Sequence, residues 1–323
     1  MHAKYLVMQS ISKAQVKFIR SLQQKKYRDE YGMFVAEGEK CVEELRKAFE
    51  LVLLVERDGT RAERQPSNGQ SETAGEPGKH FTASATEIEQ MSGLRTPQGV
   101  IAVFRKPEKQ YHSPFTMHNA QCTIKNSQLI LALDGIQDPG NLGTIIRTCD
   151  WFGVHDIICS MDTADCFNPK VVQATMGALA RVRVHYVDLP KTLEQFTILS
   201  PKGHDYLTES NFHNSQFTIY GTLLDGRDMY EVLKSEAINH PDCEGTSNAI
   251  IVMGNEGNGI SEAVRSLITH PIRIPSYPAD AETSESLNVA IATAIVLAEV
   301  RRKTKDERQK TKDERRKTGF ASK

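Results

Sequence analysis

Apolar residues in the second half of the chain fall into short runs that helical patterns separate. Short apolar runs bounded by polar or glycine-rich segments predict buried strands. Regular alternation of such strands with helices predicts an α/β fold with a parallel sheet. The runs are Leu129–Leu133, Asp156–Cys159, Val182–Tyr186, Thr218–Leu224, Ala249–Met253 and Pro271–Ile274.

The first 106 residues show weaker alternation, which predicts a smaller α/β domain. Ser12–Gln24 has the spacing of a basic amphipathic helix, and Gly38–Phe49 also has helical spacing. Thr86 and Glu89 are spaced as a capping box, which predicts a helix that continues through Met91. Short strands are predicted at Met33–Val35, Leu51–Val55 and Gly99–Phe104.

Composition divides the chain further. Residues 58–80 contain no Val, Ile, Leu, Phe, Met, Tyr or Trp, which predicts a flexible surface loop, because such a segment buries too little apolar area to offset ordering. Residues 107–127 are polar and irregular and are expected to form a linker. The predicted organisation is therefore a domain at 1–106, this linker, a second domain at 128–302 and a charged tail at 303–323.

Charge and cysteine usage exclude some classes of protein. The formal net charge of −1, from 40 basic and 41 acidic residues, argues against a uniformly basic nucleic-acid binder. The six cysteines include no C-x-x-C pair, so we expect no metal site, no disulfide framework and a cytoplasmic location. The longest apolar stretch, Val289–Val300, is too short to span a bilayer, so no membrane partner is expected.

A loop rich in Asp, Pro and Gly follows the strand that ends near Asp134. A helix is predicted to begin near Asn141 or Leu142, and the side-chain oxygen of Asn141 could cap it. Arg147 then lies less than two turns into this helix, where a guanidinium could bind a phosphate through two parallel hydrogen bonds. An ordinary salt-bridged helix residue is the alternative interpretation.

Two later segments also suggest ligand loops. Gly254–Gly259 follows a strand directly but matches neither the dinucleotide-binding nor the P-loop signature. A tight turn is the alternative, although a turn alone does not need the carboxylate of Glu256. The third segment ends a strand at Pro275 and opens a helix after a polar loop, where Ser286 or Asn288 could be the cap.

In their order and composition, these segments resemble the three motifs of the SpoU (TrmH-type) RNA 2′-O-ribose methyltransferases of the SPOUT class. The resemblance covers about 128–302 closely and 4–106 more loosely. The matching residues are Asp138-Pro-x-Asn141-x-Gly143 with Arg147, then Gly254-Asn-Glu-Gly-x-Gly259, and finally Ile274-Pro275 with Ser286-Leu-Asn-Val289. Between the first two motifs, Thr175-Met-Gly-Ala stands where Ser-Ala-Gly-Ala is more usual.

The resemblance implies a trefoil knot in the second domain, S-adenosylmethionine as cofactor, a homodimer and no need for a metal. It implies that Arg147 is the catalytic arginine. The residues that would hold this arginine, the ribose and the cofactor loop are Asn141, Glu256, Ser286 and Asn288. The residues of the cofactor loops would be Leu223, Gly254, Ile274 and Leu287.

The resemblance also implies that the first domain binds RNA. Its basic stretch suits phosphate contacts, with a solvated helix face as the alternative. Ribosomal RNA is favoured over transfer RNA, because a separate first domain is commoner among ribosomal members. A transfer-RNA enzyme and a non-catalytic RNA-binding relative stay open, whereas the missing dinucleotide fingerprint disfavours an oxidoreductase. The stretch comprises Lys13, Lys17, Arg20, Lys25, Lys26 and Arg28.

Overall fold

The computed structural model describes residues 9–59, 79–107, 129–198, 217–235, 248–278 and 286–302. Contacts group the chain into two compact units. The first unit contains the residues up to His112 together with Asp138–Arg147 and Ala164–Arg181, and the second contains the remainder. Residues 60–78 of the predicted loop, residues 108–127 of the predicted linker and the tail at 303–323 lie outside the described residues.

The first unit is built on a mixed five-stranded sheet in the order β1-β4-β3-β5-β2. The strand β5 is antiparallel to both of its neighbours, and the other pairs are parallel. The sequence pattern does not predict β1, α2 or β4, and β4 begins inside the predicted loop. The elements are β1 Gln9–Ser10, α1 Lys13–Ser21, α2 Lys25–Tyr31, β2 Met33–Glu37, α3 Glu39–Leu45, β3 Leu51–Arg57, β4 Lys79–Ala83, α4 Ala85–Met91 and β5 Val100–Arg105.

The second sheet has six strands, all parallel, in the order β11-β9-β10-β6-β7-β8. This confirms the predicted α/β class and all six predicted strands. The elements are β6 Leu129–Asp134, α5 Pro139–Trp151, β7 Asp156–Cys159, α6 Pro169–Thr175, β8 Arg183–Tyr186, α7 Leu189–Ile198, β9 Phe217–Asp228, α8 Met229–Ser235, β10 Asn248–Gly254, α9 Glu262–Arg265, β11 His270–Arg273 and α10 at 289–302.

Two predicted helix starts are wrong by two residues. The capping box of α4 consists of Ser84 and Glu87, not Thr86 and Glu89, because Ser84 keeps an extended backbone and its hydroxyl accepts from the Glu87 amide. Similarly, α5 begins at Pro139. The Asp138 carboxylate accepts the amide of Asn141 at 2.7 Å, so Asp138 takes the capping role that was predicted for Asn141.

The basic stretch at the start of the chain is not uniformly available for phosphate contacts. Arg28 is only 2% exposed and forms an ion pair with Asp165 at 2.8 Å, so its predicted role as a phosphate contact is wrong. Lys25 pairs with Asp29 on the same helix. A buried, paired guanidinium cannot reach RNA without exposing an unpaired carboxylate.

Asp156 is a buried carboxylate of the second sheet. Burial raises its pKa, but hydrogen bonds from His185 and Arg183 outweigh burial and lower the pKa to about 2. Because the pKa in the folded state is below the ordinary value, the stabilisation is present above about pH 4 and is lost as the pH falls toward 2.

We therefore expect Asp156→Asn to reduce the free energy of unfolding at pH 7 by about 2 kcal/mol. Chemical denaturation between pH 7 and pH 2.5 measures this, and the variant should lose less stability on acidification than the parent protein. Asp188→Asn, which breaks an exposed ion pair with Lys191, is the control and should change stability much less. Parallel pH profiles for Asp156→Asn and the parent protein would contradict the assignment.

Candidate functional site

The segment after β10 forms a closed turn. The amide of Asn255 donates to the carbonyl of Gly259 at 2.9 Å, and the Gly259 amide donates back at 3.0 Å. The side-chain oxygen of Asn255 accepts from the amides of Gly257 and Asn258, which fixes the turn from inside. A Cβ at Gly254 would lie 2.4 Å from the backbone at Gly259, so only glycine fits there.

The same turn is tied to the loop after β6. The side-chain nitrogen of Asn255 donates to the carbonyl of Gly135 at 2.6 Å, and the buried carboxylate of Asp134 accepts from the Ser261 amide at 2.7 Å. On the other side, the amide of Gly135 donates to the Ser160 hydroxyl at 2.8 Å. Three neighbouring loops at the carboxyl edge of the sheet therefore share one hydrogen-bond network.

The sequence motifs do not mark Asp134, Asn255 and Ser160 as site residues. Each is the last residue of a buried parallel strand or the first residue after one. Since the carboxyl ends of parallel strands meet at one edge of a sheet, where α/β proteins bind ligands, this position was the available signal.

Leu223 lies in a segment of β9 where the pairing with β11 is interrupted. Gly221 pairs with Pro271 of β11, but the next paired residue of β9 is Arg227, so residues 222–226 leave the ladder. Gly226 passes so near the β11 backbone that a Cβ there would lie 2.5 Å from Ile272. Leu223, on this bulge, is half-buried.

The cofactor residues predicted from the resemblance occupy comparable places on neighbouring strands. Leu223, Gly254 and Ile274 lie at or just beyond the points where β9, β10 and β11 end their mutual pairing. The parallel order β11-β9-β10 brings these three positions to one edge of the sheet. Leu287 is 48% exposed and directly precedes Asn288.

Asn288 caps α10, and it is one of the two residues, Ser286 and Asn288, that were predicted as the cap. Its side-chain oxygen accepts from the amides of Ala290 and Ile291 at 3.0 and 3.3 Å. Ser286 is exposed at the start of this segment, and Glu256 is exposed on the closed turn after β10. Residues 279–285, most of the predicted polar loop, lie outside the described residues.

In the first unit, α5 carries Asn141 and Arg147. Gly143 lets this helix approach α6 closely, since a Cβ there would lie 2.4 Å from the Cβ of Ala174. Arg147 is exposed, and its guanidinium makes no hydrogen bond or ion pair with any residue that the structure describes. The salt-bridged alternative for Arg147 therefore has no support among these residues, and the side chain is available to an anionic ligand. Asn141 is half-buried.

The described part of the chain contains no cluster of three or more His, Cys, Asp or Glu side chains able to hold a metal ion. None of the helices described is both long and apolar enough to cross a bilayer.

Comparison with known proteins identifies both halves of the chain. Residues 128–298 match the SpoU rRNA Methylase family, and residues 13–102 match the MRM3-like substrate binding domain. The 23S rRNA (guanosine(2553)-2′-O)-methyltransferase RlmP of Bacillus subtilis is 27% identical over 296 residues, which cover 91% of this chain and 98% of that protein. The 23S rRNA (guanosine-2′-O-)-methyltransferase RlmB of Neisseria meningitidis is 28% identical over 69% of this chain and 76% of its own length.

Solved structures agree with these relatives. A TrmH-family protein from Porphyromonas gingivalis is 35% identical and superposes with a TM-score of 0.67, covering 90% of this chain and 98% of that chain. An rRNA methyltransferase from Sinorhizobium meliloti, solved with bound S-adenosylmethionine, has the same TM-score at 27% identity over 91% of this chain and 97% of its own. Because the family match covers more than half of the sequence, the protein belongs to the SpoU rRNA methylase family and is an S-adenosylmethionine-dependent RNA methyltransferase.

Proposed function

We propose that the protein methylates a ribose 2′-hydroxyl of large-subunit ribosomal RNA in the cytoplasm. The observation that carries this is the tied set of loops at the carboxyl edge of the second sheet, in a chain that matches RlmP of Bacillus subtilis over 91% of its length. Transfer RNA is the alternative substrate, and a non-catalytic RNA-binding role is the alternative function.

The loop residues suit the cofactor chemically. Leu223 and Ile274 are half-buried apolar side chains, which can pack on the faces of an adenine ring, and Leu287 offers a third apolar surface. The glycine turn that begins at Gly254 lets a ligand approach the main chain closely, so the main chain of this loop could bind the adenine edge and the ribose. When bound, S-adenosylmethionine supplies a methyl group on a sulfonium that is already activated and needs no metal.

Arg147 would act on the RNA. A guanidinium stays protonated in proteins and donates in a fixed fork, so it is suited to bind the phosphate next to the target ribose. Its positive charge also stabilises the developing alkoxide, which lowers the pKa of the 2′-hydroxyl and makes it a better nucleophile. The 2′-oxygen attacks the methyl carbon, the carbon–sulfur bond breaks, and the hydroxyl proton leaves to solvent or to a neighbouring base.

The other polar residues of the motifs would position these groups. Asn141 lies six residues before Arg147 on the same helix and would orient the ribose or the arginine. Glu256 is an exposed acceptor on the closed turn, suited to a ribose hydroxyl. Asn288 orders the start of α10 through its cap, and Ser286 adds a hydroxyl just before it.

The proposal includes the trefoil knot. It is supported by the strand order, in which β10 lies between β9 and β6 although it follows both in sequence. It is also supported by the path of α10, since Arg301 near its end donates to the carbonyls of Phe152 and Gly153, just after α5.

A homodimer is also part of the proposal. It is supported by large apolar side chains that the single chain leaves exposed, namely Trp151 at 85% and Ile291 at 55%. We retain 1–106 as the RNA-binding domain and 128–302 as the catalytic domain, a division consistent with the ranges of the two family matches.

The substrate is tested by methyl transfer from labelled S-adenosylmethionine into RNA from a strain that lacks the gene. We expect label in the large-subunit ribosomal fraction. Label confined to transfer RNA would contradict the proposal that ribosomal RNA is the substrate. Bound cofactor with no transfer to any RNA, ribosomal assembly intermediates included, would favour the non-catalytic alternative.

Arg147→Ala is expected to reduce the single-turnover rate by at least about a hundredfold, because the variant loses charge stabilisation in the transition state. Cofactor affinity should stay within about twofold, since Arg147 is assigned to the RNA and not to the cofactor. Arg147→Lys keeps the positive charge but loses the paired hydrogen bonds of the guanidinium. Its single-turnover rate should therefore lie between those of the parent protein and Arg147→Ala. Near-normal turnover of Arg147→Ala would refute this role.

Gly254→Ala is expected to weaken cofactor binding by at least about tenfold, because the added Cβ would force the turn at Gly259 to move. Calorimetric titration with S-adenosylmethionine measures this. Gly257→Ala is the matched control and should lose less affinity, because its Cβ would have an ordinary 3.5 Å contact. Equal losses in the two variants would show that the close approach at Gly254 does not shape the site.

The exposed cations of α1 support RNA binding by the first domain. Lys13, Lys17 and Arg20 are exposed, share one side of the helix by their spacing and form no ion pair with any described residue. The triple alanine variant should reduce the slope of log affinity against log salt by about 2. Lys25→Ala, which removes a cation already paired with Asp29, should change the slope much less. An unchanged slope in the triple variant would remove this face from the interface.

A further inference from the structure

We propose that Arg28 and Asp165 are a positioning pair that fixes the RNA-binding domain relative to the helix that carries Arg147. The inference rests on the proposed function and concerns residues of the first unit only. It gives α2 a role different from the one its basic sequence suggests: α2 holds a segment of the catalytic domain instead of RNA phosphates.

Arg28 is buried, the side chain of Asp165 is 13% exposed, and the pair is almost fully hydrogen-bonded. The Nε and Nη2 atoms of Arg28 donate to the same carboxylate oxygen of Asp165 at 3.2 and 2.8 Å. The other oxygen of Asp165 accepts from the Phe167 amide at 3.0 Å. The Nη1 atom of Arg28 donates to the carbonyls of Leu22 and Gln23 at 3.0 and 2.8 Å.

These contacts join two parts of the chain that are 137 residues apart in sequence. Leu22 and Gln23 directly follow α1, the helix with the exposed cations, so Arg28 holds the end of that helix. Asp165 lies three residues before Asn168, whose side chain caps α6 by accepting from the Lys170 amide at 2.9 Å. The pair therefore connects the end of α1 to the start of α6.

Neighbouring contacts support the same connection. The rings of Phe34 and Phe167 lie 4.5 Å apart, which packs β2 against the segment before α6. The ammonium of Lys106 lies 5.6 Å from the centroid of the Phe167 ring and pairs with Asp29, the residue after Arg28. After α6, Gly177 passes α3 so closely that a Cβ would lie 2.4 Å from Glu44.

The connection continues from α6 to the catalytic arginine. A Cβ at Gly143 of α5 would lie 2.8 Å from the Val171 carbonyl and 2.4 Å from the Ala174 side chain, so α5 packs directly on α6. Arg147 is four residues further, on the same side of α5. The path from the cations of α1 to Arg147 thus consists of direct contacts, with the buried ion pair as its charged link.

A buried ion pair adds little net stability, because the loss of water around both charges offsets their attraction. It does hold its two partners in one geometry, because either charge alone would be left without its hydrogen bonds. If the pair is broken, α6 and the RNA-binding domain can shift relative to one another. RNA that contacts the first domain and Arg147 together would then bind more weakly, because part of its binding free energy is needed to align the two surfaces. The expected signature is a weaker apparent affinity for RNA, with cofactor binding preserved.

Asp165→Asn keeps the shape of the side chain and removes its charge. We expect the KM for ribosomal RNA to rise by about tenfold, with the Kd for S-adenosylmethionine and the rate at saturating RNA within about twofold of the parent protein. Glu50→Gln, which breaks the exposed pair with Arg105 in the same domain, is the matched control and should change none of these. A parental KM in a folded Asp165→Asn variant would overturn the proposal, and so would equal losses in KM, rate and cofactor affinity.

A second variant separates positioning from stability. Arg28→Lys keeps an ion pair with Asp165 but loses the guanidinium fork that also binds the Leu22 and Gln23 carbonyls, so it should recover most of the melting temperature that Asp165→Asn loses. We expect KM to stay raised, because the directional hydrogen bonds of the guanidinium are absent. Recovery of KM together with the melting temperature would mean that the pair only stabilises the fold, and would overturn the proposal.

Different measurements test the proposed function and the positioning pair. Turnover by the parent protein tests the proposed function, whereas the ratio between variant and parent protein tests the positioning pair. If the parent protein does not methylate RNA, the positioning pair can still be tested by binding alone. The ratio of the Kd values of variant and parent protein for a ribosomal RNA fragment then replaces the ratio of their KM values.

Discussion

Asn255 holds the loops on which the candidate cofactor site depends. Its amide group donates to the loop after β6 and accepts two main-chain amides of its own turn. The carboxylate of Asp134 reinforces this from the opposite side by accepting the Ser261 amide. Because these groups are fixed by hydrogen bonds before any ligand arrives, the glycine turn is preorganised and the cofactor would not have to order it.

A second constraint acts in the first unit. Under the proposed function, RNA held by one domain would have to reach an arginine carried by another part of the chain. The buried pair of Arg28 and Asp165, the Phe34–Phe167 contact and the close packing at Gly143 supply a continuous set of contacts between these places. The hydrogen bonds of Asn255 and Asp134 would order the cofactor loops. The contacts around Arg28 and Asp165 would align the RNA-binding surface with Arg147.

The sequence predicts the second sheet well, because each strand is a compact apolar run bounded by polar loops. It predicts the helix starts less well, since a cap depends on backbone angles that neighbouring serines, threonines and aspartates can each satisfy, as at Ser84 and Asp138. It fails for Arg28, because charge pattern alone cannot distinguish an exposed cation from one paired with an aspartate far along the chain. Asn255 was missed because its two neighbouring glycines and Glu256 suggested the ligand loop without indicating what closes it.

The central claim is that the loops of the second sheet and Arg147 together direct a methyl group to a ribose oxygen. The most direct test is a single-turnover reaction on large-subunit ribosomal RNA, followed by digestion to nucleosides and mass spectrometry. The account predicts one 2′-O-methylated nucleoside with the parent protein and its loss with Arg147→Ala. A base-methylated nucleoside, or a 2′-O-methylated product that persists without Arg147, would contradict it.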